Sequence, residues 1–336
     1  MINKKTKFCK AAALLGAAVM MISALAGCGK NTKVVLTAGL KKNEVFRISS
    51  ASCVLPEVMV YLTNMQNQYE SVYGSQIWNA SDGQLSLEQE EREQVLTQLA
   101  RIKVMNLLAQ KKEVTLDDKE KERAAAAGRE YFASLNSAEV TALNVTQDLI
   151  TKMYEEYALA EKVYQTIVEN VNPEVSDDEA RTITVDMIRA SDSAKASQVL
   201  GKAKEEGVDF ETLAQAESED QTVTQSFGKG EVSEALEKAA FNLGKDEISD
   251  VVESDGSYYI LKCISTFDEA QTKANKEKIV KQRQSEAFDT EYTAFEQTLV
   301  RQLNEELWNS VTMIHQDDVK TSSFFEVYQM YFQHQE

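Results

Sequence analysis

Few residues in this sequence join a reactive side chain to a spacing that could use it. There are four cysteines, Cys9, Cys28, Cys53 and Cys263. No two of them stand at the separation of a metal knuckle or a redox pair, and the wide gap between Cys53 and Cys263 describes no disulfide framework. Those two read as small buried hydrophobes. The two histidines, His315 and His334, have no companion ligands nearby, so neither a histidine-based triad nor a metal site is expected. Gly228-Lys229-Gly230 falls far short of a phosphate-cradling loop.

Cys28 has a context of its own. Lys4, Lys5, Lys7 and Lys10 precede the apolar stretch Ala11–Ala26. This is the basic head and short apolar body of a secretory leader, and at 16 residues the stretch is short for a membrane span. It ends Leu25-Ala26-Gly27-Cys28, which resembles the lipobox of bacterial lipoproteins. Small residues suit a peptidase cleft, and the thiol is the nucleophile to be alkylated. A plain leader with a chance cysteine is the alternative. Loss of residues 1–27 removes four lysines and no acid, taking the net charge from −18 to −22. Lipid at Cys28 would then hold the chain to the outer face of a cell membrane through buried CH₂ groups, with residues 28–44 as a tether. So acidic a chain is a poor partner for nucleic acid.

The elements that must position any chemistry follow from glycine, proline and periodicity. The 336 residues include 2 prolines and 13 glycines, where ordinary composition puts these two types at roughly 12%. Turn-dense all-β architectures are thereby disfavoured. Apolar stripes at helical spacing run through Val58, Leu62, Met65 and Tyr69, through Val95, Leu99, Ile102 and Met105, and through Leu149, Met153, Tyr157, Ala160, Tyr164 and Ile167. A further stripe holds Phe288, Tyr292, Phe295, Leu299 and Leu303. Asn172-Pro173 breaks the pattern. Beyond it, Arg181 to Arg189 alternates as a strand does, helices follow, and Tyr258 to Ile264 closes a β-α-α-α-β module that holds most of the remaining glycines. Phe324, Phe325, Tyr328, Tyr331 and Phe332 form an aromatic end segment that must pack on something, since each exposed ring forfeits roughly 1.5–3 kcal/mol. The N-terminal helices are its natural target.

The module carries Gly207-Val208-Asp209-Phe210-Glu211-Thr212-Leu213-Ala214, then Ser218-Glu219-Asp220, Phe227-Gly228-Lys229-Gly230-Glu231, Leu236 to Gly244, Ile248 to Val252, and Tyr258-Tyr259-Ile260-Leu261-Lys262. In this order and spacing the blocks resemble a parvulin-type peptidyl-prolyl isomerase domain. The mature chain as a whole resembles the SurA/PrsA-type extracytoplasmic foldases. The resemblance implies an α+β protein in which a small α/β module, residues 173–267, is inserted into a mainly helical domain made of residues 45–172 and 268–336. It also implies unfolded or newly exported polypeptides as partners; the helical domain could separately supply the interface of a possible homodimer.

The resemblance places Asp186 and Tyr259 where parvulins usually carry histidines, retains the family's central acid as Asp220, and assigns the apolar proline pocket to Val232, Leu236 and Phe241, with Ser254 near the second histidine position. Prolyl isomerisation breaks no covalent bond, so no cofactor is expected. Asp186, Asp220 and Tyr259 could form one hydrogen-bonded cluster in which two close carboxylates share a proton. Alternatively, the module only binds extended chain and the protein is a holdase whose helical stripes line a binding groove.

Overall fold

The computed structural model describes residues 39–80 and 86–333. The expected leader, Cys28, most of the expected tether and His334 lie outside the described residues. Two units emerge: one takes the described residues up to Asn170 together with those from Ser285, and the other is Val171–Gln284.

In the first unit β1 (Glu44–Ile48) and β2 (Ala51–Val54) form an antiparallel hairpin. Ser49 turns it with φ +50°. The hairpin feeds α1 (Leu55–Tyr73), with proline in its first turn, where a missing N–H does no harm. Then come α2 (Leu87–Lys111), α3 (Asp118–Ser134), α4 (Ser137–Leu143) and α5 (Gln147–Val168). The starts of α2, α3 and α4 are fixed by reciprocal caps, Ser86 with Gln89, Asp117 with Glu120 and Asn136 with Glu139. A cap contributes about 1 kcal/mol. Gly128 lets α3 and α5 approach closely, for a Cβ there would lie 2.9 Å from the Thr151 backbone.

The second unit comprises α6 (Asp177–Ala180), β3 (Thr182–Ala190), α7 (Ser193–Ala203), α8 (Phe210–Glu217), β4 (Thr224–Gly228), α9 (Glu234–Phe241), β5 (Val252–Ser254) and β6 (Ser257–Ser265). The strands make one antiparallel sheet in the order β4-β3-β6-β5. The sequence predicts only β3 and β6. The edge strands β4 and β5 are five and three residues long, too short to show an alternation. Asp255-Gly256, at φ +50° and +74°, closes the β5–β6 hairpin as a two-residue turn that needs positive φ at both positions.

Helix α10 (Glu269–Glu296) passes from the second unit's residues to the first's at Gln284–Ser285. It stops before Leu299 and Leu303, which the stripe had assigned to it. Residues Arg301–Leu303 are instead β7, paired antiparallel with β1, so the first unit's sheet runs β2-β1-β7. After α11 (Glu305–Asn309), α12 (Phe324–Phe332) sets Phe324 among Tyr61, Tyr131 and Tyr154. The Phe324 and Tyr154 rings stack at 4.4 Å. Tyr154 donates its hydroxyl hydrogen to the Phe324 carbonyl at 2.8 Å, and the Phe324 N–H donates to Asn64 Oδ1 at 3.0 Å. Under this layer the first unit buries a charge cluster: Lys103 Nζ meets Glu57 at 2.7 Å and Glu156 at 2.6 Å. Cys53 is buried beside it, and burial pushes its thiol pKa well up.

Candidate functional site

The sheet of the second unit has two faces with separate cores. Along β3, Ile183, Val185 and Met187 join Phe227, Leu236, Ala240 and Leu261, with Val232, Phe241 and Tyr259 packed against them. Ile188 and Ile260 join Val199, Phe210 and Ala214 on the other face. Side chains alternate along a strand, so odd-numbered residues of β3 and β6 share the face that α9 covers.

On that face α9 is set by Ser233, whose hydroxyl accepts from the Leu236 N–H at 3.4 Å. Leu236 and Ala240, four apart, point into the core. The Ser233 hydroxyl also lies 2.7 Å from that of Ser254, which donates to Asp255 Oδ2 at 2.9 Å. The helix start and the β5 end are thus tied together. Phe241 packs against Phe227 at 6.3 Å between centroids. Its other neighbour is the Arg181 guanidinium, 4.9 Å from its ring centroid.

Asp220 is held by a clasp at the far end of β3. The Ser218 hydroxyl accepts from the Arg189 N–H at 3.1 Å and the Asp220 N–H at 3.2 Å. The Glu219 N–H donates to the Arg189 carbonyl at 3.0 Å. Arg189 Nη1 donates to Asp220 Oδ1 at 3.3 Å, and Arg189 Nε donates to Ser257 Oγ at 3.2 Å. Tyr259 is the cross-strand partner of Arg189. Tyr259, Val232, Leu236 and Phe241 therefore share one face, Ser254 is tied to the helix that lines it, and Asp220 reaches its rim through Arg189.

Asp186 does not join them. It sits between Val185 and Met187, so its side chain leaves the sheet on the opposite face. There it is 4% exposed and accepts the Thr224 hydroxyl at 2.6 Å, with Lys262 opposite it on β6. The expected three-residue cluster, with a proton shared between Asp186 and Asp220, is not formed. Its replacement by an Arg189–Asp220 ion pair follows from the period of two along a strand: a one-residue change in register exchanges the faces. Arg189 is the functional candidate that sequence reasoning missed, since an arginine at a strand end looks like any solvated terminus. Its odd parity with Val185 and Met187 was the available signal.

Residues 155–278 match the family model of the PPIC-type PPIASE domain, the parvulin type. The second unit is a parvulin-type domain. Among curated proteins, the foldase protein PrsA of Streptococcus pneumoniae strain D39 is 31% identical to this chain over 165 residues, 44% of this chain and 53% of that protein. Strain CGSP14 gives the same figures. The chain thus spans about half the length of the curated relatives it matches. Among solved structures, PrsA of Bacillus cereus is 18% identical with a TM-score of 0.38, covering 72% of this chain and 91% of that one. On the face that α9 covers, the two central strands of this domain carry Met187, Arg189 and Tyr259. Among the described residues no group of three or more His, Cys, Asp or Glu side chains could hold a metal. Nor is any helix there long and apolar enough to cross a membrane.

Proposed function

We propose that this chain is an extracytoplasmic protein-folding factor, held to the outer face of the cell membrane by lipid at Cys28, that binds prolyl segments of newly exported polypeptides and speeds their cis-trans isomerisation. The observation that carries this reading is the convergence of Val232, Leu236, Phe241 and Tyr259 over one apolar cluster, with Asp220 at its edge. The names of the foldase relatives support it.

The chemistry asks for little more. The barrier is about 18–20 kcal/mol of lost amide resonance, and a catalyst must favour the twisted amide over the planar one. Twisting reduces charge separation, so apolar walls such as Leu236 and Val232 favour the twisted form. A polar rim holds the flanking chain while the bond turns. No proton is transferred, so the site works without histidine.

The test is a prolyl-peptide isomerisation assay on the full chain beside an aggregation assay on the same preparation. Acceleration above background is the expected result. Suppressed aggregation with no acceleration would establish the second reading, a holdase that binds extended chain. That reading draws on the placement of Asp186 away from the site face, which leaves the site with a single, ion-paired carboxylate. Neither effect would overturn both.

A further inference from the structure

The guanidinium of Arg189 is only half used. It has five N–H donors. One goes from Nε to Ser257 and one from Nη1 to Asp220. No other hydrogen bond of this group is found among the described residues, and its side chain keeps 34% exposure. At 3.3 Å through one nitrogen, the contact with Asp220 is a single, long bond rather than a bidentate fork. The clasp around Ser218 and the Glu219 N–H fixes the Arg189 backbone, and Ser257 and Asp220 restrain its head. Tyr259, directly across, is half-buried in the apolar cluster. A fixed cation with spare, solvent-facing donors therefore stands at the end of an apolar face.

From this placement we infer that Arg189 is a binding residue of the site: its free N–H groups hold a backbone carbonyl of an extended client whose proline lies on the Leu236–Tyr259 face. This rests on the functional reading above and names the polar contact that the reading leaves open. Asp220, on this view, orients Arg189 and tempers its charge, so that it takes a neutral carbonyl instead of capturing any passing carboxylate. The alternative role for Arg189 is purely structural, as the holder of Asp220.

A double-mutant cycle separates the two roles. The full chain, Arg189→Ala, Asp220→Asn and the double variant are titrated with end-blocked Ala-Ala-Pro-Phe peptide, and binding is followed by peptide resonance shifts. Isomerisation of the same peptide gives KM and kcat. If Arg189 contacts the client, Arg189→Ala weakens binding about tenfold in both backgrounds, chiefly through KM, and Asp220→Asn, which only loosens the orientation of Arg189, weakens it a few-fold at most. Arg189→Lys keeps the charge but loses the planar fork, and weakens binding a few-fold with an unchanged thermal midpoint. Should Arg189→Ala and Asp220→Asn weaken binding equally, with no further loss in the double variant, Arg189 only holds Asp220 and the inference is wrong. Unchanged binding by Arg189→Ala and Arg189→Lys overturns it as well. If the unaltered chain does not bind the peptide, the functional reading fails first and takes this inference with it.

Discussion

The two units solve the problem of burial in opposite ways. The first gathers its apolar residues into one continuous cluster that runs from Val45 to Tyr328 and also encloses ionised groups. The second cuts its core in two with a sheet, leaving a small cluster on each face, and keeps its ion pairs at the surface, among them Lys195–Glu219, Lys202–Glu217 and Lys204–Asp250. Such exposed pairs contribute about 0–1 kcal/mol each, whereas a charge enclosed without its partner is severely destabilising. The first unit therefore has little tolerance for change inside. The second has one replaceable apolar face and a rim of weakly held polar groups, which suits contact with many different chains.

The contrast can be broken at its strongest point by Lys103→Met. Lys103 and Glu57 both have side chains 2% exposed. Burial, with the neighbouring Glu156 carboxylate, pushes the Glu57 carboxyl up, and Lys103 opposes it only in part. Loss of Lys103 should lower unfolding free energy by about 3–5 kcal/mol in denaturant titrations. Adding Glu57→Gln should recover part of it. A loss below 1 kcal/mol would show that the first unit accommodates buried charge as easily as the second does at its surface.

A second test uses acid. Burial works against the Glu44 carboxylate, but Arg47, the Lys41 N–H and Ser52 outweigh it and hold its pKa down to about 2, from 4.5. The folded pKa is depressed, so the stabilisation is present above pH 4.5 and is lost as pH falls toward 2. Glu44→Gln should remove up to about 3 kcal/mol at neutral pH and flatten this acid limb. A limb as steep as in the unaltered chain would assign the acid sensitivity elsewhere.

In the second unit the expected effects move from stability to activity. Leu236→Ala should lower isomerisation roughly tenfold and stability by about 2–3 kcal/mol, since Leu236 is 8% exposed within a small cluster. Full activity in a folded Leu236→Ala protein would remove the α9 face from the site. The smallest effect belongs to Asp186→Asn. With its carboxylate on the opposite face and bonded to Thr224, the change should alter kcat/KM less than about twofold, at a stability loss near 1 kcal/mol for the weakened hydrogen bond. A large kinetic effect would place Asp186 back in the site.

Legibility in the sequence follows the same division. The stripes of α1, α2 and α5 repeat for several turns, so both their existence and their inward faces can be read directly. Short elements cannot show a period: β7 looks like the tail of a helix, and β2 and α4 pass unnoticed. That the apolar candidates Val232, Leu236 and Phe241 lie together was legible because their blocks keep a family spacing. Its polar members were not, because a strand's faces are assigned by register, and register between β3 and β6 is a property of the assembled sheet. That one-residue ambiguity separates Asp186 from Met187 and hid Arg189.

One consequence of the β1–β7 pairing concerns time. A chain made from its N-terminus presents β1 and β2 first, yet the strand that completes their sheet, Arg301–Leu303, arrives after all of Val171–Gln284. Phe324, around which Tyr61, Tyr131 and Tyr154 assemble, comes later still. Long sequence separation slows folding because loop closure must precede the contact. The second unit, whose strand pairings and two core clusters lie within its own stretch, can close while the first still waits. Wherever the chain emerges N-terminus first, the helical unit thus stays open until the residues after Gln284 follow, and a pause between residues 284 and 301 would lengthen its exposure to misassembly.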